Sequence, residues 1–204
     1  MQLIGMLDSP YVRRVAISLK LLGIPYTHHF LSVFRNFDEF AVLNPVVKAP
    51  TLVTDSGVVL MESSLILAHV ERLAPRSLMP AGAAHDEALR LIGLALAACD
   101  KNVQIVYEGN LRPADKQHQP WLDRVAGQLR AAYGALEQAV VRAPDWLCGE
   151  EMLQPDITTA VAWRFTQSTI PEIIRTADHP ALAALTARAE QLPEFRETYQ
   201  DFRT

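Results

Sequence analysis

The sequence predicts an α/β domain followed by an all-helical one. Three observations carry this reading. Short apolar runs alternate with helical stripes over residues 1–74, a segment rich in Pro, Gly and Ala follows at 75–85, and over 86–204 only helical periodicity remains. Gln2–Leu7 is an apolar run of strand length. Ser9-Pro10 then opens a helix, with Ser at the cap and Pro at the first helical position. Val12, Val15, Ala16, Leu19 and Leu22 form its apolar stripe, and Gly23 with Pro25 closes it. Tyr26–Leu31 reads as a second strand and Asn36–Leu43 as a short helix. Pro50–Thr54 and Val58–Met61 flank Asp55-Ser56-Gly57, a hairpin signal with glycine where positive φ is needed. Ile66, His69, Val70 and Leu73 mark a further helix, ended by Pro75.

The order is therefore β-α-β-α-β-β-α, which predicts a small mixed sheet with helices on its faces. Beyond the linker, Leu89, Ile92, Leu96, Cys99, Val103 and Val106 keep one helical stripe, and Leu122, Val125, Leu129, Leu136 and Val140 a second. Ile157, Ala160, Val161 and Phe165 mark a third helix, and Leu182, Leu185, Ala189 and Leu192 a fourth.

Composition narrows the function classes. The chain has 204 residues, 50% apolar and 21% charged, enough to build a full core and too apolar for disorder. A net charge of −4 supplies no basic field for nucleic acid or an anionic membrane. The longest apolar stretch, Leu91 to Cys99, is too short to span a bilayer, and the first residues lack the pattern of a signal peptide. Two cysteines, Cys99 and Cys148, exclude a disulfide scaffold and suit a reducing cytoplasm. No dinucleotide fingerprint, P-loop, nucleophile elbow or zincin motif is present. His28 and His29 are adjacent in a strand, so they face opposite sides and cannot jointly grip a metal. A cytoplasmic chain without a metal is expected.

Three motifs in order and in register on this architecture carry a resemblance. Ser9-Pro10-Tyr11 opens the first helix. Asn44-Pro45-Val46-Val47-Lys48-Ala49-Pro50-Thr51-Leu52 precedes and enters the third strand. Glu62-Ser63-Ser64 starts the third helix. Together they resemble the glutathione transferase superfamily, in its serine-type form. The resemblance implies a thioredoxin-like N-terminal domain, a C-terminal helical bundle, glutathione as co-substrate and a homodimer.

From the residues alone, Ser9 is a helix N-cap. A helix N-terminus also stabilises an anion. A free thiol has a pKa of about 8.5 and is only about 3% thiolate at neutral pH. A hydroxyl donor and the helix dipole, lowering that value by about two units, make thiolate the major form. By resemblance Ser9 takes that catalytic role. Tyr11, one turn on, is either a second donor or an aromatic packed under the turn.

The remaining residues bind glutathione by resemblance. Ala49–Pro50 is expected to be cis, so that the backbone before the proline pairs with the tripeptide like an added strand. Lys48, one of four lysines, suits the glycine carboxylate, and is otherwise a solvated loop residue. Glu62 and Ser63 suit the ammonium and carboxylate of the γ-glutamyl end, and otherwise form a helix cap. Asp100 falls on the apolar stripe by helical spacing, where a carboxylate needs a partner. That partner is either a nearby arginine or, by resemblance, the γ-glutamyl amine bound to a neighbouring subunit. Asn102, Gln104 and Tyr107 on the same helix either line a second-substrate cleft or form a mixed solvent face. Asp156 reads as structural, capping backbone N–H groups although Leu153 leaves the usual box incomplete.

The expected function is a glutathione transferase: thiolate stabilised by Ser9 attacks an electrophilic small molecule or a peroxide. The alternatives are a glutathione-dependent reductase or isomerase, and a non-catalytic glutathione-binding module on the same fold. A panel of motifs that would select the electrophile is absent from the helical part.

Overall fold

Four three-residue strands build one mixed sheet in a computed structural model that describes residues 1–200. β1 (Gln2–Ile4) pairs in parallel with β2 (Thr27–His29) and antiparallel with β3 (Thr51–Val53), which pairs antiparallel with β4 (Val59–Met61). The order across the sheet is β2-β1-β3-β4. The crossover between β1 and β2 is α1 (Pro10–Leu21). A second helix, α2 (Phe37–Leu43), links β2 to β3, and α3 (Ser63–Glu71) follows β4. This is the small mixed sheet expected from the element order, in the thioredoxin-like arrangement that the resemblance implied. The strands are shorter than the apolar runs that announced them. β1 ends at Ile4 because the backbone at Gly5 swings to φ 136°.

The chain divides into two compact units, residues 1–78 with the segment from Leu192 onward, and residues 79–191. The sequence reading assigned everything from 86 onward to the helical part. The last turn of helix, α8 (Pro193–Arg196), packs instead on α1. Phe195 is fully buried there, and its carbonyl accepts a hydrogen bond from Arg13 Nη2 at 3.1 Å. Lys20 Nζ meets Glu197 Oε2 at 2.6 Å alongside.

α1 is buried almost all round, because the sheet, α3 and α8 surround it. Val12, Val15, Ala16 and Leu19 are sealed as the stripe requires, but Arg13 and Arg14 are buried too.

The helical unit comprises α4 (Ala84–Leu111), α5 (Gln119–Arg142), α6 (Gln154–Thr169) and α7 (Pro180–Ala189), with single 3-10 turns at Ala114–Lys116 and Thr176–Asp178. α4 packs on both α5 and α6, and α7 on α5 and α6. α6 is buried on nearly every side, and Thr158, Thr166 and Thr169 have hydrogen-bonded hydroxyls while that of Thr159 has no partner among the described residues. Thr158 Oγ1 donates to the Gln154 carbonyl at 2.8 Å. Tyr133 Oη lies 2.9 Å from the Ala162 carbonyl and 2.6 Å from Thr166 Oγ1. Asp156 is fully buried and accepts from the backbone N–H groups of Leu147 (2.8 Å) and Leu153 (2.9 Å), as expected of a cap.

The buried face of α4 is rotated from the predicted one. Ala88, Leu91, Ile92, Ala95, Ala98, Cys99 and Asn102 face the core, while Leu89 is half exposed. Small alanines, invisible to a stripe of large residues, allow α5 and α6 to approach closely on that side.

Candidate functional site

The register of the sheet brings the three sequence motifs to one end. Ile4 pairs with Thr51 and Thr51 with Met61, so the next residue outward on each strand is Gly5, Pro50 and Glu62 in turn. The loop from Gly5 leads to Ser9 and α1, the Ala49–Pro50 peptide leads into β3, and Glu62 opens α3.

Gly5 makes this convergence possible. A Cβ built on it lies 2.7 Å from Val12 Cγ2 and 3.0 Å from Ala49 Cβ, so no side chain fits between α1 and the Ala49 loop. Its N–H donates to the His29 carbonyl at 3.1 Å, and its own carbonyl lies 2.8 Å from His28 Nε2. Burial pushes the His28 pKa down, which keeps the ring neutral near pH 7 with its Nε2 hydrogen on Gly5.

Ser9 occupies the position before α1 in extended conformation (φ −69°, ψ 123°), followed by Pro10. Its side chain makes no capping hydrogen bond. A plain cap, the simplest reading of the residue, is therefore not what the hydroxyl does; α1 is held at this end by Arg13 N–H to the Ser9 carbonyl at 3.0 Å. Tyr11 is half-buried in the first turn. Asp8, just before Ser9, has its carboxyl pushed above the usual range by burial, against the opposing pull of the Ser9 N–H and the Arg35 charge.

The Ala49–Pro50 bond is cis, as the resemblance implied. Asn44, buried, secures the loop that carries it: Nδ2 donates to Thr51 Oγ1 at 2.8 Å, and Oδ1 accepts from the Val46 N–H at 3.0 Å. Thr51 Oγ1 donates in turn to the Lys48 carbonyl at 2.7 Å. The Lys48 side chain stands exposed.

Glu62 adopts φ 73°, a left-handed conformation that costs a non-glycine residue about 1–3 kcal/mol. Its carboxylate accepts from the Ser64 N–H at 3.2 Å and from Ser63 Oγ at 3.3 Å, which caps α3 from the preceding residue. Backbone strain of this kind concentrates at ligand sites.

Arg14 carries no signal in the sequence, Asn44 enters there only as the first residue of a motif, and His28 only as half of a rejected metal pair. A charged or polar residue on a helix or in a loop reads as solvated unless its partners are known.

Asp100 departs from its expectation. It is exposed rather than on the buried stripe, with Gln104 Nε2 donating to Oδ2 at 2.8 Å and Lys101 Nζ at 3.3 Å. The rotated face of α4 accounts for this, and it buries Asn102 instead. Asn102 Nδ2 donates to Thr166 Oγ1 at 2.8 Å and to Thr169 Oγ1 at 3.1 Å. Gln104 and Tyr107 do line an open cavity of about 610 Å³ within the helical unit, with Leu111 and Trp121. Among the described residues no cluster of His, Cys, Asp and Glu can hold a metal, and no helix is long and apolar enough to cross a membrane.

The thioredoxin-like sheet thus gathers at one end a serine at a helix start, a cis-proline and a Glu-Ser cap. Residues 3–78 match the family model of the glutathione S-transferase N-terminal domain. Glutathione S-transferase U3 of Arabidopsis thaliana is 32% identical over 123 residues, 52% of this chain and 54% of that protein, so the chain spans about half the length of this curated relative. A glutathione S-transferase of Methylobacterium radiotolerans JCM 2831, solved in complex with glutathione sulfonate, superposes with a TM-score of 0.91 at 27% identity, covering 100% of this chain and 96% of that one. A glutathione transferase family member of Pseudomonas fluorescens Pf-5, solved with bound S-(propanoic acid)-glutathione, gives 0.84 at 28% identity, covering 97% and 98%. Residues 3–78 thus carry the match to the glutathione S-transferase N-terminal domain, and the chain as a whole is similar to solved glutathione transferases.

Proposed function

We propose that this protein is a glutathione S-transferase of the cytoplasm that uses Ser9 to hold the glutathione thiol as thiolate. The observation that carries the reading is the Ser9 hydroxyl itself: at the start of α1 and uncommitted to capping, it is free to donate to an anion. The cis Ala49–Pro50 bond supports pairing of the Ala49 backbone with the tripeptide, and the capped α3 start supports Glu62 and Ser63 as the γ-glutamyl contacts. Lys48, exposed beside this loop, suits the glycine carboxylate, and Tyr11 supplies a second hydroxyl in the first turn. The relatives solved with glutathione sulfonate and with a glutathione thioether agree with this ligand.

In the proposed reaction the thiolate sulfur forms a bond to an electrophilic carbon. The bond from that carbon to its leaving group breaks, and the electron pair departs with the leaving group. With a peroxide, sulfur attacks oxygen and the O–O bond breaks instead. Asp8 sets a constraint on this chemistry, because an ionised carboxylate beside Ser9 opposes a thiolate. Burial raises its pKa, against the pull of the Ser9 N–H and the Arg35 charge. A homodimer fits the exposed position of Asp100, from which a carboxylate can serve a neighbouring copy.

The test is the ultraviolet difference absorbance of bound glutathione thiolate against pH, for the wild type and Ser9→Ala. A bound thiol titrating about a unit or more below about 8.5, with the shift lost in the variant, is expected. Bound glutathione with an unshifted thiol identifies a binding module instead, and turnover without net glutathione consumption identifies an isomerase.

A further inference from the structure

We propose that Gln200 is a positioning residue of the Ser9 site: it fastens the loop between β1 and α1, so that the Ser9 hydroxyl meets the glutathione sulfur at hydrogen-bonding geometry. The inference rests on Ser9 holding the thiolate. It concerns a residue that neither the motifs nor the helical stripes pointed to.

The loop from Gly5 to Asp8 is all that separates β1 from Ser9. Its path is set by what its backbone groups bond. At its start the Gly5 N–H donates to the His29 carbonyl at 3.1 Å, and the Gly5 carbonyl lies 2.8 Å from His28 Nε2. At its end the Ser9 N–H donates to the Met6 carbonyl at 3.2 Å. Between them stands Leu7, only 6% exposed, whose N–H has little access to water and needs a partner in the protein. That partner is Gln200 Oε1 at 2.8 Å, 193 positions along the chain.

The segment that delivers Gln200 is itself anchored on α1. Phe195 is fully buried with the Arg13 guanidinium 5.6 Å from its ring centre, and its carbonyl accepts from Arg13 Nη2. Lys20 Nζ holds Glu197 Oε2 at 2.6 Å, and the buried Thr198 hydroxyl donates to the Glu194 carbonyl at 2.8 Å. The helix that Ser9 opens therefore carries the anchors of the segment that reaches back to its loop. Within this ring of contacts a shift at Leu7 is carried two residues on to Ser9. Stabilisation of an anion by a hydroxyl depends steeply on distance and direction, so a small shift weakens it. A glutamine suits the task because its amide accepts a hydrogen bond without bringing charge. A carboxylate there would add a second negative group to a loop that already holds Asp8 and must favour a thiolate. Gln200 touches neither sulfur nor electrophile; it acts through the loop.

The test compares wild type with Gln200→Met, which keeps the length of the side chain and removes the acceptor. Three quantities are read: the exchange rate of the Leu7 amide hydrogen, the pKa of the bound glutathione thiol, and the affinity for S-methylglutathione, which has no thiol to ionise. In the variant the amide is expected to exchange about tenfold faster or more. The bound thiol is expected to titrate about half a unit or more closer to the free value of about 8.5, while S-methylglutathione binds within about twofold of wild type. An unchanged thiol pKa overturns the proposal, whatever the amide does. So does a loss of S-methylglutathione affinity as large as that for glutathione, which marks a merely structural contact. Gln200→Ala repeats the comparison where the methionine packs into a new place. Wild type that binds neither ligand, or binds glutathione with an unshifted thiol, overturns the reading of Ser9 and this proposal with it. That outcome is read on wild type alone and is distinct from a variant that titrates like wild type.

Discussion

Asp156 makes the stability of the helical unit depend on pH in a direction opposite to most carboxylates. It is fully buried at the start of α6, and burial pushes its pKa from 3.8 to about 6, although the Leu147 and Leu153 N–H groups pull the other way. A carboxyl with a raised folded-state pKa holds its proton more tightly folded than unfolded. Between pH 4 and 6 the folded chain therefore binds more protons, and the contribution of this group to stability falls as pH rises through that window. The difference between 3.8 and about 6, at about 1.4 kcal/mol for each pH unit, amounts to about 3 kcal/mol. The assay is guanidinium unfolding of wild type and Asp156→Asn at intervals from pH 4.5 to 7.5. The amide does not titrate, so the stability difference between the two proteins isolates the carboxyl. Wild type is expected to lose about 2 kcal/mol relative to the variant across the range, and to be flat above pH 7. A difference that does not change with pH, or one in which wild type gains as pH rises, refutes the reasoning.

Two further substitutions test the packing. Gly5→Ala forces a methyl group to 2.7 Å from Val12 Cγ2 at a φ of 136°, and is expected to cost about 2–5 kcal/mol in a denaturant melt, partly recovered in the Gly5→Ala/Val12→Ala double variant. A double variant no better than the sum of the singles removes the steric explanation. Tyr133→Phe takes the hydroxyl from between the Ala162 carbonyl and Thr166 Oγ1 in a fully sealed position, and thermal unfolding should show a loss of about 1–3 kcal/mol.

The N-terminal half was the more legible part of the sequence because its signals are local. Ser9-Pro10 fixes a helix start by its own backbone preferences, and Asp55-Ser56-Gly57 does the same for the hairpin between β3 and β4. Helix faces are a different problem. Leu89 is exposed and Asn102 buried on α4, since the neighbours that decide the matter, Thr166 and Thr169 of α6, lie more than sixty positions away. Asp100 was misplaced with them. Arg14 was illegible for a related reason. A helix enclosed on several sides has no solvent face for charges to mark, and an arginine that donates to Ser63 looks in sequence like one that meets water. Of the site, the helix start could be read directly from Ser9-Pro10, and the cis proline followed from the resemblance. The side-chain network that holds them could not.

The pairing of β3 with β1 and β4 also makes binding a readout of strand alignment. Shifting β3 by one residue would turn Leu52, wholly enclosed, to the opposite face, and would move Pro50 out of line with Gly5 and Glu62 in the same step. A misaligned sheet thus has no partial version of the site. Ligand affinity recovered during refolding would count correctly threaded molecules, and a tight ligand would act as a template that rewards one alignment and ignores the others.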